Sequence, residues 1–341
     1  VFESETKKAG DIIIACTQEV PIFLEASEAV KNENTNLQFT NIREKAGWTK
    51  SANHNVTAKM AALISEAALD IPPTQSVTMK SNGELLILGE GDPAIKAAQL
   101  LKDHLNITVI LSDSSPVCPP SLMEFPIFCG KVDTAKGHLG AFELKVSDYS
   151  PAIPSSRGNL DFERIRKSGS ITCDLILDLR SETPLFTEFV NRDGYLKPDQ
   201  NNLVEVNRAL LKLSNLVGEF EKPKYINYDA AICAHSRSEI IGCNICIDNC
   251  SMGAITPKGD KVNFDPFICA GCGTCAGICP TGAAQYAVPS VNDSINRIKT
   301  LVINFLKAGG ENPIILIHDT LWGEEMLSIL ARQFDGLPGN V

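Results

Sequence analysis

Apolar positions in roughly the first 220 residues switch between short continuous runs and helical spacing. DIIIAC (11–16) and NLQFTNI (36–42) are strand-length runs, while 55–69 carries apolar residues one helical turn apart. Residues 84–112 read as strand, turn, helix and strand. This alternation predicts an α/β, Rossmann-like domain over 1–221. Within it the texture changes: 116–146 is punctuated by proline and glycine and predicts β-hairpins. TCDLILD (172–178) predicts a buried strand, and 202–220 predicts a helix followed by a linker, EKPK.

Beyond a cysteine-rich block at 222–290, residues 291–307 have helical spacing and stop at Gly309 and Gly310. PIILIHD (313–319) then predicts a strand and 323–334 a helix. A lone strand needs neighbours. Residues 291–341 therefore read as the start of a C-terminal α/β unit, in a chain whose Val-Phe beginning and LPGNV end suggest trimming or truncation.

Composition narrows the class. At 341 residues the chain can hold two or three domains, and 44% hydrophobic with 21% charged residues is ordinary for a globular protein. No apolar run is long enough to predict a bilayer span. A formal net charge of −10 without a basic tract argues against nucleic acid as a partner. Eight of the twelve cysteines crowd between Cys233 and Cys279, unlike a disulfide-rich secreted scaffold, and no secretory leader is evident. The expected location is a reducing cytoplasm.

The block holds one phrase twice. Residues 268–283, ICAGCGTCAGICPTGA, contain a full C-x2-C-x2-C-x3-C-P run, whereas 241–255 holds only C-x2-C-x3-C. Cys243, Cys246 and Cys250 lie 29 positions before Cys272, Cys275 and Cys279, as do Gly253 and Ala254 before Gly282 and Ala283. On that offset the counterpart of Cys269 is Ile240. The x2, x2, x3 spacing lets one loop wrap three soft, anionic thiolates around an iron–sulfur cube while a fourth cysteine reaches elsewhere. Ala270, Gly271, Gly273, Thr274, Ala276 and Gly277 are small enough for the backbone to close around it. Zinc is the alternative, but zinc ribbons use separated C-x2-C pairs without the third cysteine and the CP ending.

The duplication resembles the bacterial-type ferredoxin domain, which binds two [4Fe-4S] clusters in pseudo-twofold halves that exchange their fourth cysteines. That resemblance implies one cluster on Cys269, Cys272, Cys275 and Cys250, and three ligands of another from Cys243, Cys246 and Cys279. Ser251 and Ile240 depart from the family pattern, which has proline and cysteine there. Three completions are open: Cys233, arriving on the loop AHSRSEI; His235; or a site with three ligands. Further phrases, among them CTQE, AKGHLGAFELKV, PSSRGNLDF, CAHSRSEIIGC and FDGLPGNV, resemble a bacterial family of 4Fe-4S binding proteins associated with formate dehydrogenase components. In that pattern a cysteine precedes the GC, which supports Cys233. The layout is more distantly similar to the flavin-containing subunit of heterodisulfide reductase. These resemblances imply a redox protein as partner.

Weaker signals lie outside the block. Gly89-x-Gly91-x-x-Ala94, with Asp113 after the next strand, has the layout of a dinucleotide fingerprint for FAD or NAD, although Glu90 and Asp92 place negative charge where a diphosphate would sit. Cys16 ends the first strand, where functional groups often stand, yet a small buried residue serves equally well. Cys118, Cys129 and Cys173 read as core, and Arg157 and His318 sit beside polar loops. No Ser-His-Asp arrangement or Walker loop is present. The expected function is electron transfer through two [4Fe-4S] clusters; the alternatives are a flavin- or NAD-binding oxidoreductase subunit and an accessory protein with structural clusters.

Overall fold

The structure, a computed structural model, describes residues 2–6, 10–30, 35–47, 53–112, 117–164, 167–188, 190, 192–236, 242–333 and 339–340. The chain divides into two compact units, one formed by Val1–Pro73 with Pro289–Val341 and the other by Thr74–Val288. In the first, α1 (Phe2–Thr6), β1 (Gly10–Ile14), α2 (Val20–Val30), β2 (Thr35–Phe39) and α3 (His54–Ala67) follow in order. β1 and β2 pair in parallel from Gly10 opposite Thr35 to Ile14 opposite Phe39. The Asn53 side chain caps α3 by accepting from the Val56 amide, satisfying an otherwise free helix donor.

The second unit opens with β3 (Ser76–Ser81), β4 (Glu84–Gly89), α4 (Asp92–Leu101) and β5 (Asn106–Leu111). There follow β6 (Ile127–Lys136), β7 (Phe142–Pro151), β8 (Lys167–Cys173), β9 (Leu175–Leu179), β10 (Tyr195–Leu196) and α5 (Leu203–Ser214). Seven strands form one sheet in the order β10-β9-β4-β5-β6-β7-β8. Those from β10 to β6 run parallel, and β7 and β8 turn antiparallel. Strand alternation sorts the core. Leu85, Ile87, Val109, Leu175 and Leu177 face α4 and α5, whereas Leu86, Leu88, Ile110 and Ile176 meet Phe142, Leu144 and Val146 of β7. The sheet thus curls back over one of its own faces. Asp174 alone separates β8 from β9, and its buried carboxylate accepts from the Asn82 and Glu84 amides at 2.6 and 3.2 Å.

The predicted hairpin is β6 with β7, and its turn depends on Gly140: at φ +81°, an added Cβ would fall 1.9 Å from the Lys80 carbonyl oxygen. Two expectations change. The helix predicted over 202–220 ends at Ser214, and residues placed in its tail and linker form β11 (Gly218–Pro223), which pairs antiparallel with β3. Asn215 ends the helix, and Gly218, at φ +122°, admits a backbone that helical residues do not adopt. β3 and β8 carry too few apolar residues to have been legible as strands.

The unit closes with β12 (Ile226–Tyr228), α6 (Ile245–Asp248), β13 (Ile255–Lys258), β14 (Lys261–Phe264), α7 (Thr274–Ile278) and β15 (Ala284–Tyr286). The chain then returns to the first unit as α8 (Val291–Lys307) and α9 (Gly323–Gln333). Phe305 of α8 is buried against Ala58 and Ala62 of α3, and Arg297 pairs with Glu66 at 2.5 Å. The strand predicted at 313–319 is not formed. That run pairs with no strand among the described residues, and Ile314, Ile315, Leu316 and Ile317 are exposed. Apolar character alone cannot make a strand without an edge to join.

Candidate iron–sulfur site

The duplicated phrase folds as a duplicated structure. β12 pairs antiparallel with β15, Tyr228 opposite Ala284, and β13 pairs with β14, Ile255 opposite Phe264. α6 and α7 begin 29 positions apart, each just after the cysteine that opens a C-x2-C pair. The Asp229 amide donates to the Ala283 carbonyl at 2.8 Å, and the Asp265 amide donates to the Ala254 carbonyl at 2.8 Å. Each of these aspartates accepts from the amide two residues on, Ala231 and Phe267, at 2.9 Å. Gly253 and Gly282 both take positive φ, at +61° and +68°, and donate to the carbonyls of Cys250 and Cys279.

These pairs expose a match that the 29-residue offset hides. YDAAIC (228–233) corresponds to FDPFIC (264–269) at an offset of 36, so Cys233 stands where Cys269 stands in the other half. The difference is an insertion of seven residues, 234–240. The repeated Asp-x-x-Ile-Cys was readable in the sequence but lies upstream of the insertion. Ile240 and Arg237 lie outside the described residues.

Two sets of thiols influence one another's ionisation. Burial pushes the Cys246 thiol up, and the neighbouring Cys233, Cys243 and Cys279 push it further. Burial likewise raises Cys275, to about 11, reinforced by Cys269, Cys272 and Cys250. Thiols that repel each other's ionisation in this way suit a positively charged metal centre, which takes them as thiolates. Counteracting donors are in place. Burial pushes Cys233 up, yet the Tyr228 hydroxyl, the Ser236 and His235 amides and the Ser236 hydroxyl carry it below the ordinary thiol value. The Thr274 hydroxyl, 3.4 Å from the sulfur, lowers Cys272. Burial opposes, but the Ala284 amide and the Thr281 hydroxyl help to bring Cys279 below its usual value.

Cys250, Cys269, Cys272 and Cys275 line one partly open pocket together with Tyr225 and Met252. Its loop depends on Gly271: φ is +74°, and an added Cβ would lie 2.7 Å from the Tyr225 ring. Tyr286 donates its hydroxyl to the Gly271 carbonyl at 2.9 Å, holding the same turn. Among the described residues no three His, Cys, Asp or Glu side chains converge on one point as a single ion requires. A four-iron cube instead takes thiolates from around its corners, and soft thiolates in fours fit it.

His235 is buried and its Nδ1–H donates to the Cys243 carbonyl at 3.1 Å, tying the start of the insertion to the first C-x2-C pair. The dinucleotide-like turn sits apart from the thiols in the sequence, and its glycine has a packing cause. A Cβ on Gly89 would lie 2.6 Å from that of Ala94. Glu90 accepts from the Ser181 hydroxyl and Asp92 from the Cys118 amide, while Gly91 turns the chain at φ +69°. Asp113 lies outside the described residues. Cys129 and Cys173 are buried as expected, Cys118 is exposed and Cys16 is half-buried.

Sequence reading missed a charged cluster at the carboxyl end of β9. Asp178, wholly buried, accepts from Arg180 through Nε and Nη2, both at 2.9 Å, and from the Tyr195 hydroxyl at 2.8 Å. The signal was an acid inside the apolar run LILDL, since a charge there must be paired.

Comparison with known proteins agrees with the site. Residues 241–283 match the model of the 4Fe-4S dicluster domain. Over 44 residues the chain is 43% identical to an uncharacterised ferredoxin of Methanocaldococcus jannaschii, covering 13% of this chain and 71% of that protein. The domain supports an iron–sulfur electron-transfer role, which entails a redox partner. Among the described residues no helix is long and apolar enough to cross a membrane. Through this cysteine-rich segment, the chain belongs to the ferredoxin family that carries the 4Fe-4S dicluster domain.

Proposed function

We propose that the chain transfers single electrons through two [4Fe-4S] clusters, one held by Cys233, Cys243, Cys246 and Cys279 and the other by Cys250, Cys269, Cys272 and Cys275. When bound, such clusters supply one-electron transfer at a potential set by their surroundings. The observation that carries the reading is the correspondence of Cys233 with Cys269, backed by the paired Asp229 and Asp265 hydrogen bonds. That correspondence favours Cys233 over His235. Each half contributes three thiols to one group and its last thiol to the other. Tyr228, Ser236, Thr274 and Thr281 direct hydroxyls at the sulfurs, which favours thiolate and tunes the site.

The α/β part of the second unit is read as a Rossmann-like support, an inference backed by its parallel strands and by the reversal of strand order between β4 and β9. The partner is a redox protein, and the resemblance to proteins associated with formate dehydrogenase makes such components the first to test. Anaerobic iron and sulfide quantification checks the proposal: two four-iron clusters give about eight irons per chain. About four irons, or iron that dithionite cannot reduce, would contradict it.

A further inference from the structure

We propose that Lys222 is a positioning and charge-setting residue for the thiol group Cys250, Cys269, Cys272 and Cys275, raising the reduction potential there. The inference rests on the two-cluster reading above. Lys222 belongs to β11, and only 13% of its side chain is exposed. Its Nζ donates to the Phe267 carbonyl at 2.7 Å, two residues before Cys269. The Phe267 ring stacks on His138 of the β6–β7 turn, with centroids 4.4 Å apart and planes within 10°, and packs against the main core. The loop that carries Cys269 is therefore held by one ring at the β6–β7 turn and by one ammonium on β11.

The ammonium also acts through its field. Reduction delivers one electron, from the redox partner or from dithionite, to a centre already surrounded by four thiolates. A mostly buried cation close by stabilises that added charge and is poorly screened by solvent. Asp193, at 3.4 Å from Nζ and 58% exposed, offsets part of the charge. The two halves are unequal here, since the repeat puts Ala231 where Phe267 stands and so offers no ring to stack.

The test is an anaerobic, EPR-monitored potentiometric titration of the full chain, after iron and sulfide quantification has shown both groups loaded. Cys246→Ala, which strips the other group, assigns the signals. Lys222→Met is expected to lower the midpoint potential of the Cys269 group and leave the other unmoved, while Lys222→Arg retains the wild-type value. Asp193→Asn, which leaves the Lys222–Phe267 bond intact, is expected to move the same midpoint upward, and it keeps the test decisive if Lys222→Met fails to load. Unmoved potentials, equal shifts in both groups, or an Asp193→Asn shift downward would overturn the inference. Wild-type iron near about four per chain would instead overturn the two-cluster reading beneath it.

Discussion

Replacing Gly271 by alanine tests how the backbone shapes one cysteine loop. Gly271 lies between Cys269 and Cys272 at φ +74°, and the new Cβ would fall 2.7–2.8 Å from three atoms of the Tyr225 ring. Left-handed backbone costs a residue with a Cβ about 1–2 kcal/mol. The ring must also move, disturbing its stack with Tyr286 at 6.4 Å, an arrangement worth about 0.5–1.5 kcal/mol. The loop is thus destabilised by about 1.5–3.5 kcal/mol, or roughly 10- to 300-fold in population. Gly282→Ala is the control: its φ is +68°, but nothing lies within 4 Å of the added Cβ, so only the backbone cost of about 1–2 kcal/mol applies. Anaerobic denaturant unfolding and the rate of iron loss to a chelator measure both. Gly271→Ala should lose stability beyond the control and release iron faster from one thiol group. Identical behaviour of the two variants would refute the steric argument.

Other consequences follow from the buried groups. Asp178→Ala takes the buried partner from Arg180, leaving it Glu182 at 2.7 Å, and should cost about 3 kcal/mol in denaturant unfolding, whereas an unchanged midpoint would mean that the Asp178 pairing carries no stability. Burial, then Asp178, raises the Tyr195 phenol, so the unfolded chain loses that proton first. Stability should fall as pH climbs past about 10, and Tyr195→Phe should flatten the fall, as read by unfolding at each pH. Burial pushes the Cys173 thiol up to about 12, so iodoacetamide at pH 8 should label exposed Cys118 in the native protein and Cys173 only after unfolding; native labelling of Cys173 would contradict its placement.

Local signals carried far in this chain. The continuous apolar runs of β4, β5 and β9 marked strands that are buried on both faces, and α8 was marked by its spacing and by Gly309 and Gly310 beyond it. The cysteine spacing alone marked the thiol-rich block. Features that depend on distant partners were hidden. β3 pairs with β11 across more than a hundred residues, and SVTMKS is too polar to announce a strand. PIILIHD had the right composition for a strand, but forming one depends on a neighbour that composition does not supply. Cys233 was a candidate in the sequence, but its equivalence to Cys269 was hidden by the seven-residue insertion, and the matched Asp229 and Asp265 turns bring it out. Lys222 was assigned to a linker, and nothing local relates it to Phe267, 45 residues away.

The central claim is that Cys233 completes one of two exchanged thiol groups. Iron content and EPR of Cys233→Ala, prepared anaerobically beside Cys243→Ala, test it most directly. The account predicts that each variant keeps about four of about eight irons and that both show the same remaining reduced spectrum. Wild-type iron content and an unchanged two-component spectrum in Cys233→Ala would contradict it.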